Sequence, residues 1–385
     1  MTARQTIIIV SVVSLLLLYL FVHHITSSLE PSLPNAPSRD AGGAVYRQRL
    51  VAVGDLHGDI NNAKKVLQMA KIIDDDSKWV ASTDILVQTG DIVDRGAYAD
   101  DIYRLMRSLR GQAASQGGKV ISILGNHEMM NAIGDWRYVT KSDIARFGGT
   151  KARQHALSAE GWLGQEWLTN YSITALVPIS PYPSSPTFSF THGSLRPSYA
   201  NLTPYPAAIN DLGHSLLTKA LTPPMAPPYP PNPYSGLPKG TTHEEADLYA
   251  EGGPLWWRGL AEREEGQVCE WAKDLKQKIG VRRIIGGHTP NFEKIVARCN
   301  ASVIIIDTGI SSAYGGVLSA LEIIYTLTPV DRRGRDHSQD PLLLSTSSEP
   351  IAGLKGRFIE REEVHAIYEK SSKWLALEER EVVLD

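Results

Sequence analysis

Three short apolar runs, residues 50–53, 85–88 and 120–124, are each followed within two residues by glycine and then by polar side chains. The first two lead into stretches whose apolar positions recur three and four apart, residues 60–72 and 98–109. The short runs predict buried strands and the recurring spacing predicts helices. Strand and helix alternation of this kind predicts an α/β layered fold. Further strands are expected at residues 187–191, 283–285, 302–306 and 317–324, the last alternating less cleanly.

One apolar run is different in kind. Residues 6–22, "TIIIVSVVSLLLLYLFV", carry no charge, and about 17 residues is the short end of what crosses a bilayer. No small-x-small cleavage pattern follows in "HHITSSLE", which favours an uncleaved signal anchor over a removed signal peptide. Arg4 precedes the run and the next base is Arg39, so the positive-inside rule places the large domain on the lumenal or extracellular side as a type II protein. Secretion after signal cleavage is the alternative. Sequons at Asn170, Asn201 and Asn300 suit that topology weakly.

Residues 1–24 are thus expected to anchor the chain and residues 25–46, rich in Ser, Pro, Gly and Ala, to tether it. A catalytic body is expected over 47–329. Within it, residues 222–240 hold eight prolines and predict an extended, exposed insertion. Residues 330–385 read as a charged C-terminal extension without a motif.

Composition narrows the function classes. The 39 basic and 42 acidic residues leave a net charge of -3, so bulk electrostatics does not favour a nucleic-acid partner. Phosphate recognition, if present, must be local. Two cysteines, Cys269 and Cys299, exclude a disulfide framework and a cysteine-rich zinc module, and leave their own pairing open.

The chemistry gathers after the strands. "GDLHGD" brings Asp55, His57 and Asp59; "GDIVDRG" brings Asp91, Asp94 and Arg95; "GNHE" brings Asn126, His127 and Glu128; "THGS" brings His192 and "GGHT" brings His288. Asp59, ahead of a helix, reads as an N-cap. Each of the others alone has a structural explanation, but five strand ends that all present ligand types beside glycine predict one metal site at the carboxyl ends of the strands. Mixed nitrogen and oxygen donors without thiolate suit Mn, Fe or Zn. Two such ions a few ångströms apart clamp a phosphoryl group and acidify a shared water. His127 is then available as general acid with Asp94 orienting it, and Arg95 offers a fork to phosphate oxygens.

Taken in order, the five blocks resemble the calcineurin-like metallophosphoesterase superfamily and, within it, the phosphoprotein phosphatase branch. "GDLHGD" and "GPLWWRG" are similar to the Shewanella-like protein phosphatases. The resemblance implies a central β-sandwich flanked by helices. It implies two divalent metals, Mn above Fe or Zn, on Asp55, His57, Asp91, Asn126, His192 and His288, with Asp91 bridging. It further implies the His127–Asp94 acid pair and a phosphate site of Arg95, Asn126 and Arg258. At least one of Trp256 and Trp257 is expected in the core. "IDTGIS", with Asp307 and Thr308, departs from the tyrosine-bearing "SAPNY" of the classical serine/threonine enzymes. The expected activity is hydrolysis of phosphomonoesters in proteins. The rivals are phosphoanhydride hydrolysis of dinucleoside polyphosphate or polyphosphate, and a membrane-tethered, non-catalytic binding protein.

Overall fold

The computed structural model describes residues 44–183, 185–223, 236–330 and 354–385. The expected anchor, most of the tether and most of the proline-rich insertion lie outside the described residues. Among the described residues no helix is long and apolar enough to cross a membrane.

Two mixed sheets stack face to face. The larger runs β12-β11-β10-β1-β2-β3-β4 across its seven strands, and the smaller runs β5-β6-β7-β9-β8. Their ranges are β1 Tyr46–Val53, β2 Ile85–Gln88, β3 Lys119–Ile123, β4 Tyr171–Ser172, β5 Thr174–Pro178, β6 Thr187–Thr191, β7 Arg283–Gly286, β8 Val296–Arg298, β9 Val303–Ile305, β10 Ser319–Pro329, β11 Gly356–Tyr368 and β12 Ser371–Leu384. Strands β1 to β4 are parallel, as are β6, β7 and β9; β10, β11 and β12 add antiparallel pairs.

The apolar runs lack polar alternation because both faces of these strands are covered. Leu50, Ala52, Val87 and Ile123 point into the core between the sheets, against Phe188, Phe190, Ile285 and Ile304. Val51, Val53, Leu86 and Val120 point the other way, into a second core shared with the helices. Short strands of this kind, read singly, leave a sandwich and a single sheet equally possible; the pairing registers decide for the sandwich.

The helices are α1 Ile60–Met69, α2 Ala99–Ser115, α3 Asn126–Ala132, α4 Lys141–Arg146, α5 Thr150–Leu157, α6 Trp162–Asn170, α7 Ala207–Leu221, α8 His243–Tyr249, α9 Gly259–Glu262 and α10 Glu265–Ile279. Asp59 caps α1, accepting from the Asn62 N–H at 3.0 Å. That helix stops short of the expected residue 72 because Lys71 turns left-handed at φ 54°. Helix α2 runs past 109 because its buried stripe, Ile102, Met106, Leu109 and Ala113, continues unbroken.

At the amino edge, Ala44 and Val45 are already buried and the Val45 N–H pairs with Leu327 O at 2.9 Å, so the packed body begins ahead of residue 47. At the carboxyl end, β11 and β12 extend the larger sheet. The inward face of β11 alternates Phe358, Glu360, Glu362, Val364 and Ala366. Two glutamates on a buried face hide the strand from a hydrophobicity pattern. They are tolerated because Arg282 meets Glu360 at 2.6 Å and Glu362 at 2.9 Å, while Arg283 meets Glu362 at 2.5 Å. Cys269 on α10 and Cys299 after β8 form a disulfide.

Candidate active site

The carboxyl ends of β1, β2, β3, β6, β7 and β9 converge on one cleft of about 280 Å³. Asp55, His57, Asp91, Arg95, Asn126, His127, Arg258 and His288 line it. Asp94 and His192 lie just behind, both fully buried. All the site residues named from the sequence are therefore brought together.

The loops reach this arrangement through strained backbone. His57, Asp91, Asp94, Arg95 and His288 all have left-handed φ, between 40° and 71°. Such conformations cost on the order of 1–3 kcal/mol each and persist where the surroundings over-determine them. Glu128 is one such determinant. Its buried carboxylate accepts from the N–H groups of Asp91 (2.8 Å), Ile92 (2.8 Å) and Gly125 (2.7 Å) and from the Tyr103 hydroxyl (2.8 Å). This ties the β2 loop to the start of α3. Gly125 permits the approach: a Cβ there would sit 2.0 Å from Asp91 Oδ1.

Two groups of ligand atoms emerge, each within 4.8 Å of one another: His57, Asp91 and His127, and Asp91, His192 and His288. Asp91 belongs to both. Its Oδ2 lies 3.6 Å from His57 Nε2 and 3.3 Å from His192 Nε2. His192 Nε2 also lies 2.8 Å from Asn126 Oδ1 and 3.1 Å from His288 Nδ1. Asp55 Oδ2 stands 3.9 Å from His57 Nε2. A third group, Glu265 with Cys269 and Cys299, has its two sulfurs committed to each other.

The imidazoles are oriented for ligation. His57 Nδ1 faces Val93 O at 2.9 Å, His192 Nδ1 faces Thr89 O at 2.8 Å, and His288 Nε2 faces Trp256 O at 3.1 Å. A carbonyl partner holds the proton on that nitrogen and leaves the other as a lone-pair donor, the usual support of a metal-ligating histidine. Burial pushes the His57 imidazole down to about 4, and burial with the neighbouring His192 and Arg258 charges pushes His288 well below its ordinary value. Asp55 is raised well above the carboxylate range by burial and by repulsion from Asp307 and Asp91. Crowded buried carboxylates faced by imidazoles, two of them held in the neutral form by burial, make a donor set that fits divalent cations.

His127 behaves differently. Its Nδ1 meets Asp94 Oδ2 at 2.6 Å, and Asp94 Oδ1 accepts from Asn131 at 3.0 Å. Burial opposes its charge, but the Asp91 carboxylate and the Asp94 hydrogen bond outweigh that and raise it to about 9. Its Nε2 stands 3.9 Å from Asp91 Oδ2.

Two aromatic residues were not drawn from the sequence, and Asp307, noted there only as part of "IDTGIS", joins them in the cleft. Tyr138 packs on His127 (centroids 5.2 Å) and under the Arg95 guanidinium at 4.1 Å. Tyr314, from "SSAYGG", stands over His57 at 5.1 Å and 5.4 Å from Arg95, so a tyrosine does reach the cleft seven residues beyond Asp307. Asp307, two residues beyond β9, stands beside Asp55, with its Oδ1 held by the Gly309 N–H at 2.9 Å. Lone aromatic residues in loops carry no spacing signal, and the strand end at Asp307 lacks a histidine to mark it. Arg258 lines the cleft while its Nη1 donates to His288 O at 2.6 Å and to Thr289 Oγ1 at 3.1 Å. Trp256 and Trp257 are both half-buried against the helical core, and Trp256 also borders the cleft.

Residues 48–292 match the calcineurin-like phosphoesterase family. An uncharacterized protein of Schizosaccharomyces pombe is 35% identical over 295 residues, covering 75% of this chain and 81% of that protein. Shewanella-like protein phosphatase 2 of Arabidopsis thaliana is 28% identical over 324 residues, covering 72% and 75%. Among solved structures, a cold-active protein tyrosine phosphatase of a psychrophilic Shewanella species superposes with a TM-score of 0.58 at 21% identity, covering 85% of this chain and 80% of that one. That last likeness speaks to the fold. The match across the catalytic loops, together with these relatives, establishes that the chain belongs to the calcineurin-like phosphoesterase family and is a hydrolase of the phosphoprotein-phosphatase type.

Proposed function

We propose that this chain is a dinuclear-metal-dependent phosphomonoesterase that dephosphorylates proteins. The observation that carries the reading is Asp91, whose carboxylate belongs to two ligand groups at once. Asp55, His57 and Asp91 would hold one divalent ion, and Asp91, Asn126, His192 and His288 the other, with manganese the preferred metal. When bound, the pair supplies the Lewis acidity that activates water and neutralises the phosphoryl group.

The chain's own residues do the rest. Arg95, exposed at the cleft mouth over Tyr138, and Arg258 would orient the phosphoryl oxygens. Asp94 holds His127 in one orientation and one tautomer through the 2.6 Å contact. The proton on His127 Nε2 then passes to the departing oxygen of the ester. His57 and His127, whose rings meet at 4.9 Å, have their protonation driven in opposite directions, which separates a ligand from an acid. His127 therefore serves as acid in this reading although it also stands within ligand reach of Asp91.

The test is metal content and a substrate panel on the domain from Ala41, loaded with manganese. Two metal ions per chain, with turnover of phosphotyrosine or phosphothreonine peptides, is expected. One ion per chain, or turnover confined to diadenosine tetraphosphate or polyphosphate, would overturn the reading.

The same proposal keeps residues 1–24 as a signal anchor with the catalytic domain lumenal or extracellular. The Cys269–Cys299 disulfide supports an oxidising compartment, and Asn170 and Asn300 are exposed as glycan acceptors must be. Protease protection of the domain in sealed microsomes is expected; full accessibility would refute the topology.

A further inference from the structure

A second cavity, of about 510 Å³, opens next to the catalytic cleft. No residue lines both, but consecutive residues of one segment line one and the other. Arg196, which lines the second cavity, follows His192 by four residues on a loop whose Gly193 and Ser194 N–H groups donate to Pro254 O (3.0 Å) and Trp257 O (2.7 Å). On that facing segment Trp256 and Arg258 line the catalytic cleft, whereas Trp257 between them lines the second cavity.

The lining has a definite chemistry. Three cations, Arg196, Arg263 and Lys278, stand against one carboxylate, Asp274. Asp274 is already engaged by Lys278 at 2.9 Å, so the excess is positive in a chain whose net charge is -3. Arg263 is exposed, and Arg196 Nε is buried without a hydrogen-bond partner among the described residues. Trp257 and Trp271, with centroids 5.2 Å apart, supply an apolar wall. Guanidinium forks beside an aromatic wall recognise a carboxylate together with its aliphatic stem. The segment from Trp256 to Arg258 separates the two hollows, so a ligand with one group in each has to span it, as an extended peptide does.

We propose that this cavity is a docking subsite for an acidic side chain of the same polypeptide whose phosphoryl group enters the catalytic cleft. The inference rests on the phosphoprotein reading and adds to it a preference for acidic flanking sequence.

Two measurements on the manganese-loaded domain test it, one independent of turnover. An unphosphorylated peptide with a run of glutamates should change tryptophan emission saturably, through Trp257 and Trp271. An alanine-substituted peptide should not. Arg263→Glu, a change at an exposed position, should weaken the acidic peptide about tenfold, and raised salt should do the same. In the kinetic arm, Arg263→Glu should raise KM about tenfold for a glutamate-flanked phosphopeptide. It should leave kcat, and the hydrolysis of p-nitrophenyl phosphate, unchanged. Absence of a saturable signal, or equal KM for acidic and alanine-flanked phosphopeptides in the unsubstituted protein, overturns the subsite. Failure to hydrolyse any phosphopeptide instead overturns the proposed function, and the emission titration then decides the docking site by itself.

Discussion

Asp91 concentrates the consequences at the scale of single residues. It is buried, held in a left-handed conformation, and shared by both ligand groups. Asp91→Asn should abolish turnover and drop bound metal from two ions to one or none, read by elemental analysis. It should also erase the rise in melting temperature that manganese gives the unsubstituted protein, because metal binding is linked to folding. Gly125→Ala tests the same carboxylate from outside. The new methyl cannot coexist with Asp91 Oδ1 at 2.0 Å, so metal affinity should fall even though no ligand is altered.

The acid assignment has its own signature. His127→Ala should slow alkyl phosphate esters by about 10²- to 10⁴-fold, but p-nitrophenyl phosphate far less, since a good leaving group needs no proton. Equal losses on both would remove His127 from that role. The protonated form is the active one and its pKa is raised to about 9, so activity falls as pH climbs through that value. Asp94→Asn removes a contribution that raises it, and should move the alkaline limb to lower pH. An unmoved limb would show that Asp94 does not act through His127.

Among the elements, the C-terminal hairpin matters most for integrity. Glu362 is fully buried and meets both Arg282 and Arg283, residues that lead into and begin β7, the strand that delivers His288. Removing one partner of a buried ion pair leaves an uncompensated charge and costs about 3–5 kcal/mol. Glu362→Ala should therefore lower stability by about that amount in chemical denaturation, and removal of residues 354–385 should leave a poorly folded product. A truncated chain as stable as the parent would make β11 and β12 an appendage. The strained turns at the strand ends are held by Glu128 and permitted by glycine, while their apolar residues Leu56, Ile92 and Val93 pack into the core.

For the whole molecule, the two sheets place six strand ends on one rim, and the described residues that line the site run from Asp55 to Tyr314. Deleting residues 1–24 should thus yield a soluble protein with unchanged kcat/KM on p-nitrophenyl phosphate; an insoluble product would mean that the apolar segment packs into the fold. The strands that apolar runs announce are β1, β2, β3, β6, β7, β9 and β10, the last at Ser319–Pro329 rather than 317–324. Those that the pattern does not mark are β4, at two residues, the edges β5 and β8, and the pair β11 and β12; the buried Glu360 and Glu362 break the alternation of β11, and β12 is mostly exposed.

The ligand types and their order after each strand are properties of the chain itself, because a metal site demands particular donor atoms and glycine beside them whatever surrounds it. For that reason Asp55, His57, Asp91, Asn126, His127, His192 and His288 were legible in the sequence. That Asp91 is the shared carboxylate was implied by the family resemblance, whereas the pairing of the strands into two sheets, the entry of Tyr138 and Tyr314 into the cleft beside Asp307, and the meeting of Cys269 with Cys299 were decided only in three dimensions. These depend on pairing registers and on contacts between residues far apart in sequence, and hydrophobic periodicity, a local quantity, carries no record of them.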